Sequence, residues 1–263
     1  MNIAFSTLGC PDWDFNDILS TAKDLGYSSV EIRGAGRDMY APDIKQFSDE
    51  NIGRTKQRLS QLGLEICILT SGATLAVYDK AEAAVKEVKA YIDLAGKLDV
   101  RYVRVMCTDQ PYPDGGDIRL CKKLYTELCE YGKDKGVTPL METNGMFADS
   151  RLLADFLDDA GCGGALWDIN HPYRFMGESM ATTFENLKGK IRHVHLKDSV
   201  VENSRIRYKM MGRGDLPVKE AVELLKKSGY DGAYSLEWVK RWNQELEEPG
   251  IVFSHFISYL SRL

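Results

Sequence analysis

Residues 149–168 read DSRLLADFLDDAGCGGALWD. Asp149 and Ser150 are residue types whose side-chain oxygens accept from the free amide hydrogens at a helix start, and they open a helix candidate over 149–160. Gly161 follows, a residue that takes the left-handed backbone at a helix end without a Cβ penalty. The chain then enters a short apolar strand candidate, Gly164–Asp168, and finishes it on a carboxylate. One helix, one glycine stop and one strand make a unit.

That unit repeats outward in both directions, with a period of roughly 25–40 residues. The strand candidates are Asn2–Ser6, Ser29–Ile32, Leu64–Leu69, Arg101–Met106, Val137–Glu142, Gly164–Asp168, Ile191–Leu196 and Gly232–Glu237. The helix candidates are 14–25, 48–62, 77–96, 117–135, 149–160, 178–188 and 217–228, with a last one over 249–262. Val77, Ala81, Ala84, Val85, Val88, Ile92 and Ala95 follow the 3.6-residue helical period, as do Phe15, Ile18, Leu19, Ala22 and Leu25. Gly26, Gly63, Gly136, Gly161, Gly189 and Gly229 each precede a strand candidate. Strands such as EICIL and YVRVM are apolar at nearly every position, the pattern of a strand covered on both faces. Eight such units without a composition break predict one domain over 1–263, a closed parallel (β/α)8 barrel. An open doubly wound sheet is the alternative, but STLGCPDW after the first strand carries no GxGxxG turn. The GRGDL stretch, Gly212–Leu216, follows no strand candidate directly and reads as a turn before the seventh helix.

Composition narrows the class. The chain has 263 residues, 44% hydrophobic and 28% charged, ordinary for a soluble globular protein with a sizeable core. A net charge of −5 and a pI near 5.5 argue against a nucleic-acid partner, which needs a basic face. MNIAFSTLGC shows no secretory signal and no stretch is long and apolar enough for a membrane span. The six cysteines form no CxxC pair and read as reduced, mostly buried side chains. The expected setting is cytoplasmic, the expected partner a small molecule, and homo-oligomer formation is left open.

In parallel barrels the C-terminal strand ends and their loops build the active site. Four strand candidates end on residues that ligate metals: Glu142, Asp168, His195 and Glu237. Three carboxylates and one imidazole form an oxygen-rich site suited to Mn²⁺, Mg²⁺ or Co²⁺, with Zn²⁺ also compatible. His193 shares the strand face of His195 and points inward one layer deeper. Trp167 and Trp238 adjoin metal-ligand candidates, so alternation turns them outward onto the helices.

MET around Glu142, WDINH (Trp167–His171), HVHLKD (His193–Asp198), LEW around Glu237 and GRGDLP together resemble the xylose isomerase-like TIM-barrel family. That family includes sugar-phosphate isomerases and epimerases, ketose 3-epimerases, hydroxypyruvate isomerases and inosose dehydratases. The resemblance covers the whole chain and implies a single TIM barrel that binds one divalent ion, Mn²⁺ or Mg²⁺ before Co²⁺ or Zn²⁺, through Glu142, Asp168, His195 and Glu237. It implies a substrate that is a small ketose, sugar phosphate or polyol-derived ketone, converted through a metal-stabilised cis-enediolate. Glu142 and Glu237 would then be acid/base groups on opposite sides of the substrate carbon.

The same resemblance makes His171 a substrate contact, the alternative being a histidine that orients Asp168. Lys197 contacts substrate, neutralises a carboxylate or is solvated. Arg205 and Arg207 are both candidates for the arginine that such epimerases carry after the metal histidine, and the spacing selects neither. Glu31 and Trp13 are further pocket candidates. Apurinic endonucleases, distant relatives with three zinc ions, need histidines that are absent at the third and fourth strand ends (LTSG and VMCT), and this chain has four histidines in all. A dehydratase of the inosose or dehydroshikimate type is the competing enzyme reading. A non-catalytic sugar-binding barrel is the third.

Overall fold

In the computed structural model, which describes residues 1–263, the repeating unit closes into a ring. The barrel strands are β1 (Asn2–Ser6), β2 (Ser29–Ile32), β3 (Glu65–Thr74), β4 (Tyr102–Met106), β5 (Thr138–Glu142), β6 (Gly164–Asp168), β7 (Ile191–Leu196) and β10 (Ala233–Leu236). Between β7 and β10 lie β8 (Asp198–Glu202) and β9 (Arg205–Lys209), which pair with each other alone. The ring order is β1-β10-β7-β6-β5-β4-β3-β2, and every neighbouring pair is parallel. The helices are α1 (Phe15–Leu25), α2 (Ile52–Leu62), α3 (Ala81–Leu98), α4 (Ile118–Lys133), α5 (Ser150–Ala160), α6 (Met180–Leu187), α7 (Val218–Lys227) and α8 (Pro249–Leu260). This is the (β/α)8 barrel that the repeat predicts.

Local chemistry sets the boundaries. Asp149 caps α5 by accepting from Leu152 N, and Gly161 closes it at φ 66°. Asp14, Asp117 and Ser179 cap α1, α4 and α6 in the same way. Two helices begin later than expected: α2 at Ile52, after a turn over 48–51, and α3 at Ala81, after a 3-10 turn at Tyr78–Lys80. Strand β3 runs on to Thr74 through an irregular register opposite β4 between Thr70 and Thr74.

Alternation along the strands divides the apolar residues into two layers. Sixty-seven buried residues form one continuous layer that includes the packing between ring and helices. Trp167 lies in it, 6.5 Å from Phe184 of α6, and Trp238 donates from Nε1 to Glu247 O at 3.0 Å. A separate cluster of three, Ile68, Leu140 and Leu166, projects from β3, β5 and β6. Glu142 and Asp168 lie one alternation above Leu140 and Leu166, whose register partners on the neighbouring strands, Arg104 and His193, are already polar.

The stretch between His195 and α7 departs from a simple loop. It is a two-stranded antiparallel hairpin with Asp198 opposite Lys209 and Glu202 opposite Arg205. GRGDL therefore follows strand β9 closely, although it is a turn before α7 as read. No helix is long and apolar enough to cross a membrane, and all six cysteines are free.

Candidate active site

Glu142 and Asp168 are the last residues of β5 and β6, and His195 is the penultimate residue of β7. Glu237 follows β10 directly, and its amide continues the ladder by donating to Leu196 O at 3.1 Å. All four side chains are buried. Their ligand-type atoms lie within 4.8 Å of one another. His195 Nδ1 stands 3.4 Å from Glu237 Oε1, 3.7 Å from Glu142 Oε1 and 4.0 Å from Asp168 Oδ2.

Two observations test whether a cation fits this cluster. His195 Nδ1 is buried with no hydrogen-bond partner. Asp168 Oδ2 also lacks a hydrogen bond of normal geometry, although Lys197 Nζ lies 2.5 Å away. Native interiors rarely leave such atoms unpaired. The charge is also unbalanced. Glu31, Glu142, Asp168 and Glu237 are buried together, and the permanent cations touching them are Arg104 and Lys197. With His195 neutral, as a metal ligand must be, two negative charges remain, the complement of one divalent ion, and the donors are the carboxylates and imidazole that such ions take.

The electrostatics point the same way. Burial works to raise Glu142, but Arg104 and His195 outweigh it and hold the carboxyl well below its usual range. Burial works to lower His195, but the charges of Glu31 and Glu237 lift the imidazole well above its usual value. Lys197 follows the same logic, with burial opposed and overcome by Asp168 and Glu237. The site is a strong well for positive charge.

Neighbouring groups hold the cluster in place. Thr143 Oγ1 accepts from Asp168 N at 2.9 Å and donates to Asp168 O at 3.1 Å, which ties the ends of β5 and β6 together. His171 lies buried on the loop after β6. Its Nδ1 donates to Thr143 O at 3.0 Å, and its Nε2 is left 3.5 Å from Asp168 Oδ2. Lys197 is buried, with Nζ against Asp168 and Glu237. Of the three readings for Lys197, the solvated one is excluded.

The remaining candidates are dispersed. Glu31 is fully buried beneath the cluster, bonded to His193, His195 and Ser235. Trp13 is partly buried and packs edge-on against Phe253 with centroids 5.6 Å apart. Arg205 and Arg207 are exposed on β9 and are not brought to the cluster. Asp198 turns away to fold the GRGDL stretch, accepting from Gly212 N, Gly214 N and Leu216 N.

Two residues at the site escaped the sequence reading. Arg104 of β4 donates from Nη1 to Glu142 Oε2 at 3.1 Å and from Nη2 to Ser71 O at 2.6 Å, and Nη1 lies 3.7 Å from Glu237 Oε1. Its signal was a lone charge at an inward position of the apolar run YVRVM. Tyr208 comes from the hairpin, with Lys197 Nζ 5.8 Å from its ring centroid. Burial and the nearby carboxylates raise its hydroxyl above the usual value even with Lys197 opposing. Nothing in the sequence placed Tyr208, because the hairpin itself was not foreseen.

A closed parallel barrel with a buried carboxylate–imidazole cluster at its C-terminal mouth defines the class. The chain belongs to the xylose isomerase-like TIM barrel family, whose model matches residues 19–252. It is 25% identical over 238 residues to the fructoselysine 3-epimerase of Shigella flexneri, a match spanning 85% of each chain. Among solved structures, D-psicose 3-epimerase from Clostridium cellulolyticum H10 superposes with a TM-score of 0.79 at 18% identity, covering 100% of this chain and 98% of that one. The probable 3-DHS dehydratase of petrobactin synthesis from Bacillus anthracis superposes at 0.80 with 16% identity, covering 99% of both chains.

Proposed function

We propose that the protein is a divalent-metal-dependent epimerase or isomerase of a small ketose or related polyol-derived ketone. The observation that carries this is the convergence of Glu142, Asp168, His195 and Glu237 within 4.8 Å, with His195 Nδ1 left unpaired at its centre. The relationship to fructoselysine 3-epimerases favours a ketose, with or without a substituent, over other carbonyl compounds.

Glu142, Asp168, His195 and Glu237 would hold the ion, which when bound would supply Lewis-acid polarisation of a carbonyl and its neighbouring hydroxyl. Proton movement belongs to the chain. Glu142 and Glu237 project from β5 and from the end of β10, strands separated in the ring by β6 and β7. They thus reach a substrate from different sides. One removes the proton next to the carbonyl, and the other returns it on the opposite face, which inverts that carbon. Arg104 lies against both carboxylates, and despite burial it holds the Glu142 carboxyl well below its usual range together with His195. His171 Nε2, left an acceptor by the proton on Nδ1, and Lys197 Nζ, a donor, are the groups left to hold substrate hydroxyl and carbonyl oxygens, with Ile68, Leu140 and Leu166 packed together on the inner face of the barrel.

The test is NMR in D₂O with Mn²⁺ removed after incubation. The panel contains free ketoses, ketose phosphates and fructoselysine, with inososes and 3-dehydroshikimate as dehydratase substrates. Deuterium at the carbon beside the carbonyl, with an epimer or isomer as product, is the expected result. Loss of water to an unsaturated or diketone product would replace this reading with the dehydratase. Exchange on no member of the panel would count against both.

A further inference from the structure

Glu31 sits on β2 and His195 on β7, with β1 and β10 between them in the ring, so only a side chain pointing into the barrel can join them. Glu31 Oε2 lies 3.0 Å from His195 Nε2, 3.0 Å from His193 Nε2 and 2.8 Å from Ser235 Oγ. The carboxylate is fully buried, and its other oxygen has no partner. All of its hydrogen bonding is directed at these three donors.

A carboxylate can only accept, so each of the three must donate. That fixes the proton of neutral His195 on Nε2 and leaves Nδ1 as a bare lone pair. Nδ1 is the nitrogen that faces Glu142, Asp168 and Glu237. Exchanging the two nitrogens would set a bare lone pair against the Glu31 carboxylate and leave no lone pair on the nitrogen that faces Glu142, Asp168 and Glu237. His193 stands nearly perpendicular to His195, ring planes 87° apart and centroids 5.4 Å apart, and blocks the space beneath.

We infer that Glu31 is the positioning residue of the metal centre: it holds His195 in the tautomer and orientation that offer Nδ1 as a ligand, with Ser235 and His193 locking Glu31 in turn. The pocket role that the sequence implied for Glu31 is replaced by this one. The inference also accounts for the second convergence of ligand-type atoms, at Glu31, His193 and His195, as a hydrogen-bonded anchor and not a second ion site. It rests on the metal reading above, and the experiment separates the two. Groups that orient a ligand histidine typically contribute about 10–100-fold in metal affinity.

Zn²⁺ serves as a diamagnetic probe. Long-range ¹H–¹⁵N spectra resolve the tautomer of each imidazole, and the chain has only four histidines, with His195 assigned by its loss in His195→Ala. Zn²⁺-loaded wild type should show His195 bound through Nδ1 with its proton on Nε2, at one ion per chain by calorimetry. Glu31→Gln should bind Zn²⁺ about 10–100-fold more weakly, with the His195 proton no longer confined to Nε2. Wild type that ligates through Nε2, or takes up two ions per chain, overturns the inference even if Glu31→Gln does not fold. A folded Glu31→Gln with unchanged affinity and tautomer overturns it while leaving the metal centre standing. Wild type that takes up no Zn²⁺ overturns the metal centre, and the anchor with it.

Discussion

Glu142 and Glu237 each carry two assigned jobs, holding a cation and moving a proton, and glutamine separates them. Glu142→Gln and Glu237→Gln keep an oxygen donor and the side-chain volume but lose basicity. Each should retain measurable Mn²⁺ uptake while turnover falls by about 10²–10⁴-fold. Metal-loaded variants with near-normal turnover would move the base elsewhere, to His171 first. Arg205 and Arg207 are exposed on the hairpin, and substitutions at such surface positions usually stay within about 0.5 kcal/mol. Because neither is brought to the cluster, Arg205→Ala and Arg207→Ala should also leave kcat/KM within about twofold, and a tenfold loss in either would place it on the substrate. These residues show what a sequence discloses at this scale. Glu142, Asp168, His195 and Glu237 were legible because each ends an apolar run on a ligand-type residue. Arg104 was legible in principle, since a charge inside YVRVM needs a buried partner, but its partners lie 38 and 133 positions away in the sequence. Glu31 was noticed at a strand end, yet its job depends on His195 across the barrel, a contact no local pattern encodes.

The helix–strand units were readable because their punctuation is local: an oxygen-bearing cap, a helical apolar stripe and a glycine stop. Where a stop lacked glycine the boundary drifted. Helix α3 runs to Leu98 and ends on Asp99 at φ 59°, two residues beyond its predicted end. The β8–β9 hairpin was missed for a related reason. Its two-residue turn, Asn203–Ser204, takes φ 51° and 60°, both left-handed. Such turns are announced most clearly by Asn-Gly, and serine in the second position mutes the signal. The hairpin is joined to the GRGDL turn through Asp198, whose carboxylate accepts from three of its amides, and Gly214 packs so closely that a Cβ there would lie 2.0 Å from Asp198 Oδ1. Asp198→Ala leaves those amides without an acceptor. Hydrogen bonds to charged groups contribute about 1.5–3 kcal/mol, so the variant should lose stability on that scale. Hydrogen exchange should accelerate at 212–216 and not in the barrel strands. Unchanged protection there would show that the turn stands without Asp198.

Across the whole molecule, the barrel encloses more negative charge at its C-terminal mouth than its own cations balance. A cation that binds the folded state alone stabilises it by about 2.7 kcal/mol at one hundred times its dissociation constant. For a chain of 263 residues that corresponds to roughly 5–10 °C in Tm. Mn²⁺ should raise Tm by that amount and a chelator should reverse it, whereas a Tm indifferent to both would mean that no ion engages the cluster. The barrel itself followed from the repeat and its lack of a composition break. The coupling of β2 to β7 across its interior became visible only with the strands in place. The most direct test of the central claim is an anomalous difference map from crystals grown with Mn²⁺ and measured at the manganese edge. One peak per chain, bounded by Glu142, Asp168, His195 Nδ1 and Glu237, is the predicted result. A peak at Glu31 and His193 instead, or no peak within the barrel mouth, would contradict it.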